Sequence, residues 1–113
     1  MRVLGKTLAM TRGDSEAIKI TLKNSVGVAV PLVDGDTVYF TVKTSTGETE
    51  KVMQKVVTSF VDGEAIITIA PADTKSLTVR SYVYDVQVTT SLGNVKTIIT
   101  PSTFLIESEV TYE

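Results

Sequence analysis

Residues 63–88, reading G-E-A-I-I-T-I-A-P-A-D-T-K-S-L-T-V-R-S-Y-V-Y-D-V-Q-V, constrain the fold more than any other part of the chain. The segment starts as a β-branched run, passes through Pro71-Ala72-Asp73-Thr74, and ends on a strand with two tyrosines in phase. Successive side chains of a strand alternate between faces, so Tyr82, Tyr84, Val86 and Val88 share one face while Asp85 and Gln87 project from the other. Proline early in the connection suits a single helical turn over residues 71–77, because its missing N–H would be unpaired there anyway. Val, Ile and Thr make up 43 of the 113 residues, and these stiff side chains favour strands over helices.

Strand signals recur along the rest of the chain with turn chemistry between them. Residues 6–12 place Leu8 and Met10 inward against Thr7, Ala9 and Thr11, and Gly13-Asp14-Ser15 turns the chain. Residues 17–23 alternate strictly, with Ile18, Ile20 and Leu22 on one face and Lys19, Thr21 and Lys23 on the other. Residues 28–32 hold Pro31 and read as an edge piece or an extended connection. Residues 37–44 put Val38, Phe40 and Val42 inward and Tyr39, Thr41 and Lys43 outward. Residues 48–60 carry Val52, Met53, Val56, Val57 and Phe60 at a spacing that also fits a helix; their valines and flanking turns favour a bulged strand. Residues 64–70 and 80–89 are strands, and residues 95–106 form a last strand interrupted at Pro101. Pro101 cannot donate to a ladder, so it predicts a bulge or a switch between sheets.

The chain is long enough for one domain, residues 1–113, and needs no cross-links to fold. Seven to eight short strands without a sustained helical pattern predict an all-β, immunoglobulin-like antiparallel β-sandwich, with a small barrel as the alternative. In that architecture Tyr82 belongs at the corner before the penultimate strand, its hydroxyl bonded to upstream backbone and its ring buried. Tyr84 then fills the core.

Composition removes several function classes. With no His and no Cys, the Ser-His-Asp and Cys-His nucleophiles and ordinary zinc sites are absent. The glycines stand singly at turns rather than grouped as a phosphate-binding loop. A net charge of −2, with Lys and Arg scattered, argues against a nucleic-acid partner. No apolar run reaches the length of a membrane span, and residues 1–6 lack the apolar centre of a signal peptide. No cofactor is expected, and no catalytic residue.

Carboxylate pairs occur at Asp34/Asp36, Glu48/Glu50 and Glu107/Glu109. Solvated turns and strand ends explain them, and only the Asp34-Gly35-Asp36 turn is a candidate for calcium, since a loop can add backbone carbonyls. Arg12-Gly13-Asp14 spells an integrin-binding tripeptide, but a tight turn accounts for Gly13 and Asp14 without it. Tyr39 and Tyr112 lie outward or terminal by pattern and suit an interface. The expected docking surface is therefore Asp85 and Gln87 of the late strand with Tyr39 on its neighbour.

Five segments in order carry a family resemblance: Thr11-Arg12-Gly13-Asp14-Ser15, residues 18–23, residues 36–43, Ala70-Pro71-Ala72-Asp73-Thr74, and Tyr82-Val83-Tyr84-Asp85-Val86-Gln87-Val88. Together the chain resembles the Ig-like domains of phage and prophage structural modules, in particular the N-terminal domain of baseplate upper proteins. The resemblance implies a non-enzymatic tail or baseplate part in the virion, assembled in the host bacterial cytoplasm. Its partners would be other phage tail proteins, with a homo-oligomer as a further arrangement. Baseplate proteins of this type continue into a long receptor-side region, so a chain of this length points to an adaptor or decoration role. The alternative function is an Ig-like cell-surface adhesion or binding module.

Overall fold

A computed structural model describes residues 1–111, and the Tyr112 expectation lies outside them. The elements run β1 (Arg2–Leu4), β2 (Thr7–Thr11), β3 (Glu16–Ile20), β4 (Thr37–Lys43), β5 (Met53–Val57), β6 (Ala65–Ile69), α1 (Pro71–Thr74), β7 (Ser81–Thr89) and β8 (Val95–Glu107). They form a six-stranded sheet in the order β1-β2-β8-β7-β4-β5 and a two-stranded sheet of β3 and β6. The all-β class holds. The barrel does not, because the strands divide into two sheets. Among the described residues no helix is long and apolar enough to cross a membrane.

Alternation built the core as the pattern requires. Val38, Phe40 and Val42 of β4 are fully buried, and so are Tyr82, Tyr84, Val86 and Val88 of β7 to within a few per cent. Ile67 and Ile69 of β6 and Ile20 of β3 join the same cluster, so both sheets share one core. At its centre Phe40 lies 5.4 Å from Tyr84 and 6.0 Å from Phe104, ring centre to ring centre. The Phe104 ring meets Phe40 and Tyr84 edge-on, at 70° and 77°, the arrangement favoured by aromatic quadrupoles. Tyr82 Oη donates to the Thr78 carbonyl at 2.7 Å, the corner hydrogen bond anticipated from its position. Tyr84 Oη donates to the Lys6 carbonyl, and burial pushes its phenol up from the ordinary value.

One expectation about pairing fails. The large sheet is mixed, because β2 runs parallel to β8, with Leu8 opposite Phe104 and Met10 opposite Ile106. A parallel pair needs a long crossover. Here the whole domain between β2 and β8 supplies it, which brings the first and last parts of the chain side by side.

Local differences have local causes. Strand β1 has no buried residue to announce it; it exists because Gly5, at φ 64°, turns the chain back on β2. Ala9 is buried although its phase faces outward, as a small side chain opposite Arg2 and Leu105. Residues 28–32 form no strand; a single bridge joins Lys23 to Ala29, and Leu32 N–H donates to the Gly63 carbonyl at 2.9 Å. Of residues 48–60 only Met53–Val57 pairs as a strand, along β4. Its helix-like spacing arises because Met53 and Val57 face the core, Val56 faces out, and Val52 and Phe60 pack from the flanks. At Pro101 the register of β7 against β8 slips: Tyr84 opposes Ser102, but Val86 opposes Ile99. Thr100 and Pro101 therefore bulge opposite Asp85, and β8 stays in one sheet.

The corner around α1 is held by polar contacts. Asp73 accepts the Ala70 N–H at 2.7 Å and pairs with Lys55 Nζ at 2.7 Å, so β5 is tied to the corner. Thr74, fully buried, accepts the Gly13 N–H at 2.8 Å. The Lys55 hydrogen bond holds the Asp73 carboxyl below its ordinary 3.8, against the opposing push of burial. A carboxylate depressed in the folded state stabilises above its unfolded value and loses that contribution as pH falls through its folded value. Acid titration of denaturant midpoints will therefore show the wild type losing stability below about pH 4 more steeply than Asp73→Asn. Parallel curves for the two proteins would show that the pair contributes nothing to folding.

Candidate docking face

The outward residues of β4, β7 and β5 form one continuous surface. Tyr39 of β4 lies directly opposite Gln87 of β7 on one side and Val56 of β5 on the other. Thr41 lies opposite Asp85 and Gln54 in the same way. Directly opposed residues are side-chain neighbours in an antiparallel pair, so the three residues expected at the interface, Tyr39, Asp85 and Gln87, come together on one patch. All three are half-buried. The period of two was enough to put them there, because β4 and β7 pair without a slip from Thr37 to Lys43.

Hydrogen bonds among neighbours hold the patch. Gln54 Nε2 donates to Thr41 Oγ1 at 3.0 Å, and Gln87 Nε2 donates to Thr97 Oγ1 at 3.3 Å. Beside them the Thr100-Pro101 bulge opens a cleft of about 260 Å³ lined by Thr41, Lys43, Lys51, Asp85, Gln87 and Pro101. Burial pushes the Asp85 carboxyl up from its ordinary 3.8, and the nearby Lys43 charge pulls it back down. A carboxylate in such a place gains from a donor that reaches it. The arrangement can therefore accept hydrogen bonds or a cationic side chain from a partner, beside an apolar contact at Tyr39 and Val56.

Two contributors to the patch were not singled out from the sequence. Val56, 52% exposed on the outer face, stands in the apolar run of residues 48–60, whose spacing assigns it no face until β5 is registered against β4. Gln54 carries no signal until β5 is registered against β4.

The other sequence candidates are absorbed by structure. Asp36 is buried, and its carboxylate accepts the Val33 N–H at 3.0 Å, so its geometry serves the turn. Among the described residues no group of three carboxylates could hold a metal ion. Arg12 makes a forked contact to Glu109, with Nη2 at 2.9 Å from Oε1, and Nη1 donates to the Leu77 carbonyl at 3.0 Å. Gly13 takes φ 85°, which glycine adopts without strain. The tripeptide thus has a structural use in joining the β2–β3 turn to the corner and to the end of the chain.

No family model, no curated protein and no solved structure matches this chain.

Proposed function

We propose that this protein is a non-enzymatic phage or prophage structural or assembly protein that works by docking onto other tail or baseplate proteins. The observation that carries the docking reading is the contiguity of Tyr39, Gln87 and Asp85 on the outer face of the six-stranded sheet. A half-buried tyrosine beside hydrogen-bonding groups and a carboxylate held in a cleft fits an interface centre with a polar rim. The phage context is supported by the five sequence segments in their order.

We further infer that the domain is Ig-like. The order β8-β7-β4-β5, opposed by β3 and β6, matches the G-F-C-C′ sheet facing strands B and E. The Tyr82–Thr78 hydrogen bond supports the same assignment. The protein would reside in the virion after assembly in the bacterial cytoplasm.

Mass spectrometry of particles induced from the source strain tests the virion role. The expected result is this chain at a fixed ratio to tail proteins; its absence from complete infectious particles would overturn that role. The Asp85→Ala, Gln87→Ala double variant tests the face. It should fold with an unchanged denaturation midpoint yet co-assemble about five- to thirtyfold less well, since loss of central interface groups costs roughly 1–2 kcal/mol. Undiminished assembly would remove the outer face from consideration.

A further inference from the structure

The two-stranded sheet leaves β3 with β6 as its single strand neighbour among the described residues, so the other edge of β3 is open. Across from it, β2 covers β8 from Phe104 to Glu107, and among the described residues no strand pairs with residues 95–103 on that side. Between these edges the two sheets part, and a cleft of about 360 Å³ reaches the core. Leu8, Ile18, Ile20, Tyr84 and Ile99 line it. Leu8, Ile20 and Tyr84 belong to the buried cluster itself, while Ile18 and Ile99 remain half-buried.

The rim of the cleft is basic. Lys6 and Lys19 line it, and Lys6 makes no ion pair among the described residues. Lys19 approaches Glu64 only at 3.8 Å with most of its side chain in solvent. Glu16, at one end of β3, is already taken by the Met1 ammonium at 2.7 Å.

We propose that this cleft is an acceptor for an extended strand of a partner protein, apolar at alternate positions and acidic at those between. The strand pairs with the free edge of β3. Its apolar side chains enter the gap between Leu8, Ile18 and Ile99, and its carboxylates lie against Lys6 and Lys19. Three observations select that occupant. An open edge offers main-chain donors and acceptors in a row, which an extended segment satisfies. The alternation of a strand delivers side chains to the gap on one face alone. The surplus of ammonium groups on the rim favours acidic residues on the other. β3 is five residues long, so the donor segment spans about 17 Å.

This docking is separate from the outer face, and the Asp85→Ala, Gln87→Ala variant retains it. The test uses the full chain with a synthetic peptide of about seven residues alternating isoleucine and glutamate. Backbone NMR with amide hydrogen exchange is the readout. The peptide should slow exchange within Glu16–Ile20 and shift the resonances of Leu8 and Ile99. A lysine-for-glutamate peptide should bind about tenfold more weakly, and Lys6→Glu, Lys19→Glu protein should reverse that order. A version N-methylated at alternate residues should not protect β3. The proposal is overturned if millimolar peptide leaves β3 unprotected or protects β5 instead. Concentration-dependent self-association that protects the same amides without peptide would overturn the partner's identity, since the occupant would then be a second copy of this chain.

Discussion

Phe40→Ala is expected to lower stability by about 3–5 kcal/mol, the usual cost of deleting a buried aromatic ring and leaving its cavity. The residue is fully buried, and its ring touches both other members of the central aromatic group, Tyr84 and Phe104. The cavity cannot collapse easily, because β4 is held on both sides, by β5 and by β7. Domains of this kind have a total stability of only about 5–15 kcal/mol, so the variant sits near the edge of folding. In urea the midpoint should fall by roughly 1–3 M with the slope unchanged. A fall of less than about 0.5 M would mean that the ring does not occupy the core as described.

Gly63→Ala is the second large effect, and it comes from backbone rather than core. Gly63 sits at φ 76°, and a Cβ there would lie 2.9 Å from Pro31 Cβ and 3.1 Å from Pro31 Cα. The left-handed conformation costs an L-residue about 1–2 kcal/mol, and forcing the contact adds about 1–3 more. Pro31 cannot withdraw freely, because Leu32 N–H is bonded to the Gly63 carbonyl at 2.9 Å and Leu32 is buried. Gly93→Ala separates the two contributions: its φ is 88°, but nothing lies within 4 Å of a Cβ there. Thermal or urea unfolding should therefore show Gly63→Ala the more damaging by about 1–3 kcal/mol. Equal losses would mean that the contact with Pro31 relaxes at no cost.

Legibility differed between strands for reasons visible in individual residues. β4 and β7 could be read almost to the residue, because each buries one face and a slip by one position would turn Phe40 or Tyr84 to solvent. β5 could not, since its apolar residues divide between the core face, the outer face and the flanks. β1 could not either, because none of its three residues is buried and its supports are non-local to the pattern: the turn at Gly5, pairing with β2, and the Arg2–Glu107 ion pair at 2.8 Å. The outer-face patch was legible in its β4 and β7 members, which need only alternation, and hidden in Gln54 and Val56, which need register. The cleft of Asp85 was half-visible: Pro101 announced a bulge, but not that the bulge would stand opposite Asp85.

Sequence by itself determined that the chain is all-β, where most strands run and which side chains make most of the core. These follow from local alternation, β-branched composition and turn residues, all properties of near neighbours in the chain. Tertiary structure alone decided that β2 lies parallel to β8 and that, among the described residues, six strands gather in one sheet and two in the other while β3 and much of β8 keep an open edge. Those outcomes depend on which distant segments pair. Each strand offers two chemically similar edges of N–H and C=O groups, so the choice of neighbour rests on how the assembled core packs, not on the residues of any one strand.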